Sequence, residues 1–303
     1  MTELSKRILD AYQVRKTKKQ KQAFIDLLQM HIPTLQVQET GFPKSRNLVI
    51  GDPESAKVVL CAHYDTCARL PFPNFITPKR PIISILYSLL TVIPFLVIIV
   101  CLNFLLGLLA LDYWVHYWIS LICYFLVLSL FVAGPANQHT ANDNTSGVIT
   151  LLETYYALSE EQRQQVCFVF FDNEEKGVIG SAQFRKKYKA AMKDKLLINY
   201  DCVSDGDTFL LGISKKANQK YHVAISRAFT STPEKAVLLE GLHKVYYPSD
   251  QAGFPVAIAV AALKKSKVFG YYMDRIHTKR DTVFQEENIQ YLAERTVQLI
   301  DHL

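Results

Sequence analysis

Short apolar runs alternate with longer segments of helical periodicity along most of the chain. Amphipathic helices are predicted from Thr17, a suitable N-cap, to Ile32, from about Asn144 to Leu158, and after Gly180. Buried strands are predicted for four apolar runs, which are NLVIG (47–51), KVVLCAHYD (57–65), QVCFVFFD (165–172) and KLLINYDCV (195–203). Because strands that alternate with helices usually form parallel sheets, we expect an α/β fold with a largely parallel mixed sheet flanked by helices.

Two uncharged segments interrupt this pattern near the middle of the chain. Residues 81–111 contain no charged side chain, and after Asp112 a second segment extends over residues 113–134. Each is long enough for a helix that crosses a bilayer, which needs roughly 20 apolar residues. The sequence YWVHYW (113–118) is similar to the aromatic belt at a membrane interface. We therefore predict a transmembrane helical hairpin, and the alternative is a hairpin buried in a soluble core.

The hairpin predicts the organisation of the whole chain. Residues 1–80 and 135–303 form one discontinuous domain, because neither part alone carries a complete pattern, and residues 81–134 are an insertion that contacts the lipid bilayer. Lys79 and Arg80 flank the first span, whereas the turn has no Lys or Arg. The positive-inside rule then predicts a two-span protein of the cell membrane whose large domain faces the cytoplasm. Six cysteines without a CxxC pair fit reduced thiols there.

The formal net charge of +6 comes from basic residues in short runs at 15–21, 185–189, 215–220 and 264–267. Such runs are usually solvated surfaces, and we find no helix-turn-helix, zinc-finger or RNA-recognition signature among them. We therefore expect no nucleic-acid partner. A nearby anionic membrane is the alternative explanation for the positive charge, and the oligomeric state stays open.

Polar side chains follow several predicted strands at the point where each strand ends. They are joined by two candidates in loops, and the full set is His63, Asp65, Glu174, Glu175, Asp201, Asp143 and His277. Each residue taken alone has an ordinary role, such as capping a strand or starting a helix. In an open α/β sheet, however, ligands bind at the carboxyl ends of the strands, so these residues are expected to meet.

Several carboxylates in one place raise one another's pKa unless cations compensate them. Two divalent ions would remove that repulsion. Imidazole and carboxylate ligands together suit zinc, with manganese or cobalt as substitutes and calcium less suited because of the imidazoles. The set therefore predicts a metal site with two Zn²⁺ ions.

Six stretches together resemble the zinc-dependent exopeptidases, the family that includes bacterial leucyl aminopeptidase, glutamate carboxypeptidase and the glutaminyl cyclases. The stretches are AHYDT (62–66), ANDNTSG (141–147), FFDNEEKGVIGS (170–181), NYDCV (199–203), PSDQAGF (248–254) and IHTKRDT (276–282). They are distributed along the chain outside the hairpin, between residues 62 and 282. The resemblance implies that His63 and Asp201 bind one metal, that Glu175 and His277 bind the other, and that Asp143 bridges them.

The resemblance also assigns two further roles and a reaction. Asp65 orients the His63 imidazole, and Glu174 is the general base that takes a proton from the attacking water and passes it to the leaving amine. The implied activity is that of an aminopeptidase that hydrolyses N-terminal residues of peptides, and the predicted hairpin would anchor it in the membrane. The Gly-Ile-Pro that often follows the Ser-Asp motif is missing here. Asp250 and Tyr246 are candidates for substrate contact, with a structural role as the alternative.

Two other functions remain open from the sequence. The first is a glutaminyl cyclase-like acyl transferase with a single zinc, and the second is a non-catalytic membrane receptor or scaffold that keeps the fold. The motifs AHYD and FFDNEE do not separate peptidase from cyclase, whereas ANDNTSG and IHTKRDT are more typical of the peptidase branch. A scaffold should lack ligands, yet all five ligand positions and Glu174 are present.

Overall fold

A single nine-stranded sheet forms the centre of the protein. The computed structural model describes the backbone of residues 1–303 and all side chains except that of Phe131. The strands are β1 (Gln36–Thr40), β2 (Ser45–Ile50), β3 (Val58–His63), β4 (Val166–Phe171), β5 (Leu196–Tyr200), β6 (Thr208–Ile213), β7 (Ala236–Gly241), β8 (Ala257–Ser266) and β9 (Gly270–Tyr272). Their spatial order is β1-β2-β4-β3-β5-β8-β6-β7, and β9 pairs with β8.

The predicted α/β fold is confirmed, and the sheet is parallel mainly at its centre. Strands β4, β3, β5 and β8 run parallel to one another. The β1–β2, β2–β4, β6–β8 and β8–β9 pairs are antiparallel. The residues of β3, β4 and β5 are buried throughout, as expected for strands covered on both faces. Their carboxyl ends therefore lie side by side at one edge of the sheet.

Helices cover both faces of this sheet. Outside the hairpin they are α1 (Glu3–Ala11), α2 (Lys18–His31), α5 (Gly147–Ala157), α6 (Glu160–Arg163), α7 (Ile179–Lys187), α8 (Lys215–Ala228) and α9 (Glu286–Ile300). Thr17 caps α2 as predicted, in a capping box with Gln20. Helix α5 begins at Gly147 rather than near Asn144, because Ala141–Ser146 form a wider turn whose backbone leaves the helical conformation at Asp143 and Asn144.

The basic run at residues 15–21 is partly buried, so its predicted position on a solvated surface is wrong for Arg15 and Lys21. The Arg15 guanidinium donates hydrogen bonds to the carbonyl oxygens of Tyr64 and Tyr12, both at 2.5 Å. Lys21 forms an ion pair with Asp172. These partners explain the difference, because burial of a cation costs less when carbonyl acceptors, as for Arg15, or a carboxylate, as for Lys21, bond to it. Arg15 thus contacts the residue that follows β3, and Lys21 contacts the residue that follows β4.

The hairpin consists of α3 (Pro81–Gly107) and α4 (Tyr113–Ala133), which pack against each other. By length and composition, Pro81–Gly107 and Tyr113–Leu130 could each cross a membrane. The most apolar window of each helix contains no buried residue, so the hairpin is not part of a soluble core. Asp112 caps α4 by accepting a hydrogen bond from the Trp114 backbone N–H at 2.9 Å.

The chain leaves for the hairpin and returns from it beside the carboxyl edge of the sheet. The backbone N–H of Arg69 donates to the carbonyl of Pro135 at 2.8 Å, and that of Asn137 donates to the carbonyl of Cys67 at 3.2 Å. The N–H of Leu70 donates to the carbonyl of His277 at 2.8 Å. The segments before and after the hairpin, residues 67–70 and 135–137, are therefore hydrogen-bonded to each other and to the segment that carries His277.

Candidate metal centre

The predicted metal ligands converge at the carboxyl edge of the central strands. The Nε2 atom of His63, at the end of β3, lies 3.3 Å from Oδ1 of Asp143 and 3.6 Å from Oδ1 of Asp201, which follows β5. The Nε2 atom of His277 lies 3.1 Å from Oδ2 of Asp143 and 3.4 Å from Oε2 of Glu175. Asp143 thus presents one carboxylate oxygen to each imidazole.

Two groups of potential ligand atoms share this aspartate. The atoms of His63, Asp143 and Asp201 lie within 4.8 Å of one another, as do those of a second group. The second group is Cys67, Asp143, Glu175 and His277. A further overlapping group is His63, Glu174 and Glu175. The arrangement could hold metal ions on either side of Asp143, and both of its oxygens face potential ligands.

Asp65 links the ends of β3 and β4. Its carboxylate accepts hydrogen bonds from the backbone N–H groups of Glu174, at 2.9 Å, and Glu175, at 3.4 Å. The Nδ1 atom of His63 lies 3.0 Å from the backbone oxygen of Asp65 and 3.7 Å from its carboxylate. The carbonyl is therefore the closer partner for orienting the imidazole, while the carboxylate positions the pair of glutamates.

The loop that carries Asp143 is fixed by the residues on either side of it. The side-chain oxygen of Asn142 accepts from the N–H of Ser204 at 2.7 Å, and that of Asn144 accepts from Cys202 at 3.2 Å. Gly147 follows, and a Cβ atom there would lie 2.3 Å from the carbonyl oxygen of Tyr200. These contacts hold the loop against the end of β5 and leave no room for a larger residue at the start of α5.

Asp281 is a supporting residue for which the sequence predicted no role. Its two carboxylate oxygens accept hydrogen bonds from the backbone N–H groups of Asn142, at 2.9 Å, and Asp143, at 3.0 Å. Burial, reinforced by the nearby Asp143 charge, raises the pKa of Asp281 to about 7. Its position in the stretch IHTKRDT, four residues after His277, is the signal that could have identified it.

Burial and mutual repulsion strongly perturb the carboxylates. Burial raises the pKa of Glu174 well above its usual range; His63 opposes this shift, and Glu175 and Asp250 reinforce it. Burial also raises the pKa of Glu175 to about 8 and that of Asp250 to about 7. Asp143 and Asp65 are exceptions: contacts with the imidazoles outweigh burial and lower the pKa of Asp143, and His63 and Lys21 do the same for the pKa of Asp65.

The pKa values of the two imidazoles are raised as well, although for them burial acts in the opposite direction. Burial alone would lower the pKa of His277, but Glu175 and Asp143 outweigh it and raise the pKa to about 9. The pKa of His63 also lies well above its usual range, because Glu174 and the hydrogen bonds with Asp143 and other carboxylates outweigh burial. Raised imidazole and carboxylate pKa values together mean that this edge requires positive charge, from protons or from metal cations.

The donor atoms fit zinc. The Oε1 atom of Glu175, one of the potential ligands, is buried and has no hydrogen-bond partner among the described residues. Unsatisfied buried carboxylate oxygens are costly and are typical of a site that binds a cation. Imidazole and carboxylate donors around one centre are a common zinc environment. The residues present are therefore compatible with a zinc site.

The two residues suggested for substrate contact lie in different environments. Asp250 is fully buried, whereas the Tyr246 side chain is 51% exposed. The neighbouring Tyr247 is buried, and its hydroxyl donates to the backbone carbonyl of Asp201 at 3.0 Å. Tyr247 thus helps to hold a predicted ligand in place. The sequence did not single it out, because a tyrosine beside another tyrosine carries no distinguishing signal.

A cavity of about 290 Å³ lies between the hairpin and the site. Tyr87, Thr91 and Phe95 of α3 line one wall, Phe72 lies on the loop opposite, and His277 also lines the cavity. A predicted metal ligand and the first hairpin helix therefore line the same cavity.

Comparisons with known proteins agree with this geometry. A family model described as peptidase family M28 matches residues 129–299. The fold is similar to that of the LapA aminopeptidase of Legionella pneumophila, with a TM-score of 0.56, 13% identity, and coverage of 99% of this chain and 69% of that chain. It is also similar to the glutaminyl cyclase of Macrostomum lignano, with a TM-score of 0.52, 13% identity, and coverage of 99% and 87%. A search of curated protein sequences gave no match. At these identities the structural likeness shows the fold alone.

Proposed function

Because this chain belongs to peptidase family M28, we propose that it is a membrane-anchored di-zinc aminopeptidase that removes N-terminal residues from peptides. Membership confirms the family that the sequence motifs indicate, and with it a metallo-exopeptidase hydrolase. The observation that carries the finer proposal is the position of Asp143, whose two carboxylate oxygens face His63 and His277.

We assign the metal ligands as the resemblance implies. His63 and Asp201 would hold one zinc ion, Glu175 and His277 would hold the other, and Asp143 would contact both. When bound, zinc supplies Lewis acidity that polarises a carbonyl group and lowers the pKa of a water molecule. The unpartnered Oε1 atom of Glu175 supports its assignment, because a buried carboxylate oxygen needs a donor or a cation.

Glu174 is proposed as the group that moves protons. It follows β4 at the tip of the sheet, and the Asp65 carboxylate fixes its backbone N–H. The Glu174 carboxylate takes a proton from the water that attacks the peptide carbonyl and then gives it to the nitrogen of the leaving amine. The pKa raised by burial makes the protonated form accessible, while nearby cations favour the carboxylate that starts the cycle.

The same proposal includes the organisation of the chain. Residues 1–80 and 135–303 form one metallopeptidase domain, and residues 81–134 are an inserted hairpin with two membrane spans. The exposed apolar surfaces of α3 and α4 support this arrangement, as does the exposed Trp114 at the turn. Lys79 and Arg80 directly precede α3, and by the positive-inside rule they support a domain that faces the cytoplasm.

The hairpin is also proposed to form one wall of the substrate entrance. The cavity shared by Tyr87, Thr91 and His277 supports this role, because a side chain bound there would lie beside a predicted metal ligand. Ligand pockets are usually concave and mainly apolar with a few polar groups, which describes this cavity.

A second candidate function is acyl transfer of the glutaminyl cyclase type. The similarity in fold to a glutaminyl cyclase keeps this candidate open. It requires only one zinc ion, whereas potential ligands lie on both sides of Asp143 and favour two. A non-catalytic scaffold is disfavoured because every predicted ligand position and Glu174 carry suitable side chains.

The test is hydrolysis by the detergent-solubilised full chain. Aminoacyl fluorogenic amides and an N-terminal glutaminyl peptide are assayed side by side, with chelator, without chelator, and after zinc is added back. We expect release of the fluorophore that chelator abolishes and zinc restores, with the Glu174→Gln variant as the inactive control. Cyclisation of the glutaminyl peptide without amide hydrolysis would favour the cyclase. No activity on any substrate would favour the scaffold.

A further inference from the structure

A cysteine lies among the potential ligands on the His277 side of the centre. The Cys67 sulfur and one ligand atom each of Asp143, Glu175 and His277 all lie within 4.8 Å of one another. The Cys67 residue is 2% exposed and is not part of a disulfide. None of the metal-ligand roles described above uses it.

The backbone holds Cys67 in this position from two sides. Its carbonyl accepts a hydrogen bond from the N–H of Asn137 at 3.2 Å, and the adjacent Ala68 forms a β-bridge with Ala136. Three residues later, the N–H of Leu70 donates to the carbonyl of His277 at 2.8 Å. The cysteine and the histidine are therefore fixed relative to each other by a main-chain bond between their two segments.

An independent feature of the same group indicates a bound cation. The Glu175 side chain is 10% exposed, and its buried Oε1 atom has no hydrogen-bond partner among the described residues. Its other oxygen already faces His277. A carboxylate in this state is costly unless a cation satisfies the free oxygen. The thiol thus lies in a group that is incomplete without a metal.

We propose that the Cys67 sulfur is a fourth protein ligand of the zinc ion held by Asp143, Glu175 and His277. This inference rests on the proposed metal site. A thiolate is a good zinc ligand, and the thiol proton passes to solvent when the sulfur binds the metal. Three oxygen and nitrogen donors with one sulfur donor complete the usual tetrahedral set for zinc.

The fourth ligand would distinguish the two zinc ions. A zinc ion with four protein ligands is typical of a closed site, whereas three protein ligands leave a position for water or substrate. The group of His63, Asp143 and Asp201 has three members and would be the open side. The substrate carbonyl is then expected to approach on the His63 side, with the Cys67 side holding Asp143 in place.

The test replaces zinc with cobalt in the full chain purified in detergent under reducing conditions. Coordination of a thiolate to Co²⁺ gives strong near-ultraviolet charge-transfer absorption, which nitrogen and oxygen ligands do not give. We expect this absorption in the unmodified protein and its loss in Cys67→Ser. The matched control is Cys202→Ser, because the buried Cys202 thiol donates to Asp201 at 3.1 Å yet is outside the four-ligand group. Cys202→Ser should keep the absorption.

X-ray absorption of the zinc-loaded, unmodified protein gives a second measurement that does not depend on how Cys67→Ser folds. A sulfur neighbour at about 2.3 Å from zinc is expected. A zinc-loaded protein with only nitrogen and oxygen neighbours, or equal cobalt absorption in Cys67→Ser and the unmodified protein, would overturn the Cys67 proposal alone. A protein that binds no metal at all would instead overturn the proposed function on which it rests.

Discussion

The carboxyl edge of the sheet and the hairpin differ from an ordinary soluble protein in opposite ways, because the edge buries charged groups and the hairpin exposes apolar ones. At the edge, charged or polar groups are nearly inaccessible: His63 is 1% exposed and Asp143 is 3% exposed. In the hairpin, large apolar groups face outwards: Leu90 is 64% exposed and Val100 is 66% exposed. Folded soluble proteins rarely bury unpaired charge or expose broad apolar surfaces.

The difference shows that each region lacks a partner of a particular kind. Buried carboxylates with unpartnered oxygens need cations, and metal ions supply them. The most apolar windows of α3 and α4 contain no buried residue, and we propose that a bilayer provides the apolar surrounding that such exposed helices need. The two regions meet at the cavity that α3 shares with His277. Substitutions that act on one region and spare the other can therefore test the comparison.

The largest effect is expected from Glu174→Gln at the buried edge. The amide keeps the shape of the side chain but cannot take a proton, so kcat should fall by about 10²- to 10⁴-fold. Steady-state hydrolysis of the best aminoacyl amide provides the measurement. Glu287→Gln, on the exposed first turn of α9, is the matched control and should retain full activity. Near-normal turnover in Glu174→Gln would contradict its role as general base.

The next largest effect is expected from Leu96→Lys near the middle of α3. A lysine at the centre of a membrane span costs about 2.5 to 3.5 kcal/mol, so much less of this variant should reach the membrane fraction. Met30→Lys places the same charge on an exposed apolar position of α2, where the cost should stay within about 0.5 kcal/mol. Equal membrane yields for both variants would show that the hairpin does not span a bilayer.

A smaller effect is expected from Asp281→Asn, which changes a supporting residue rather than a ligand. The asparagine can accept only one of the two backbone hydrogen bonds, so the Asp143 loop should loosen and metal affinity should fall by about 10- to 100-fold. Competition with a chelating dye measures that affinity. Asp52→Asn, on an exposed turn, is the control. Unchanged affinity in Asp281→Asn would mean that the loop is fixed by its other contacts.

The smallest effect is expected where the two regions meet. Tyr87→Ala enlarges the cavity beside His277, so kcat/KM for substrates with a bulky apolar terminal residue should fall about tenfold. Tyr124→Ala removes a tyrosine from the other hairpin helix, and that residue does not line this cavity. A side-chain panel compares the two variants. The proposed entrance would be wrong if both variants kept the same substrate preference as the unmodified chain.

Much of the sheet was predictable because its central strands are buried on both faces. The runs that form β3, β4 and β5 are continuously apolar, and each ends in residues that cannot be buried without a partner. Position at a strand end, together with the family motifs, was enough to select residues that the structure brings together. The roles of those residues as ligands or base stay predictions.

The remaining features depend on contacts between segments far apart in the sequence. Arg15 and Lys21 belong to a basic run that normally lies on a surface, and only the nearby strand ends make their burial favourable. Asp281 lies in the stretch IHTKRDT, but its role depends on backbone N–H groups of a distant segment that only the fold brings to it. Cys67 follows the stretch AHYDT directly, but its distance from Glu175 and His277 is set by the fold.

The most direct test of the central claim is the metal content of Glu174→Gln and Glu175→Gln beside the unmodified chain. The three proteins are purified identically, and bound zinc is measured per chain by elemental analysis. We predict about two zinc ions in the unmodified chain and in Glu174→Gln, with a clear deficit in Glu175→Gln. Equal zinc in both variants, or loss of zinc in Glu174→Gln alone, would contradict the division of these adjacent glutamates into base and ligand.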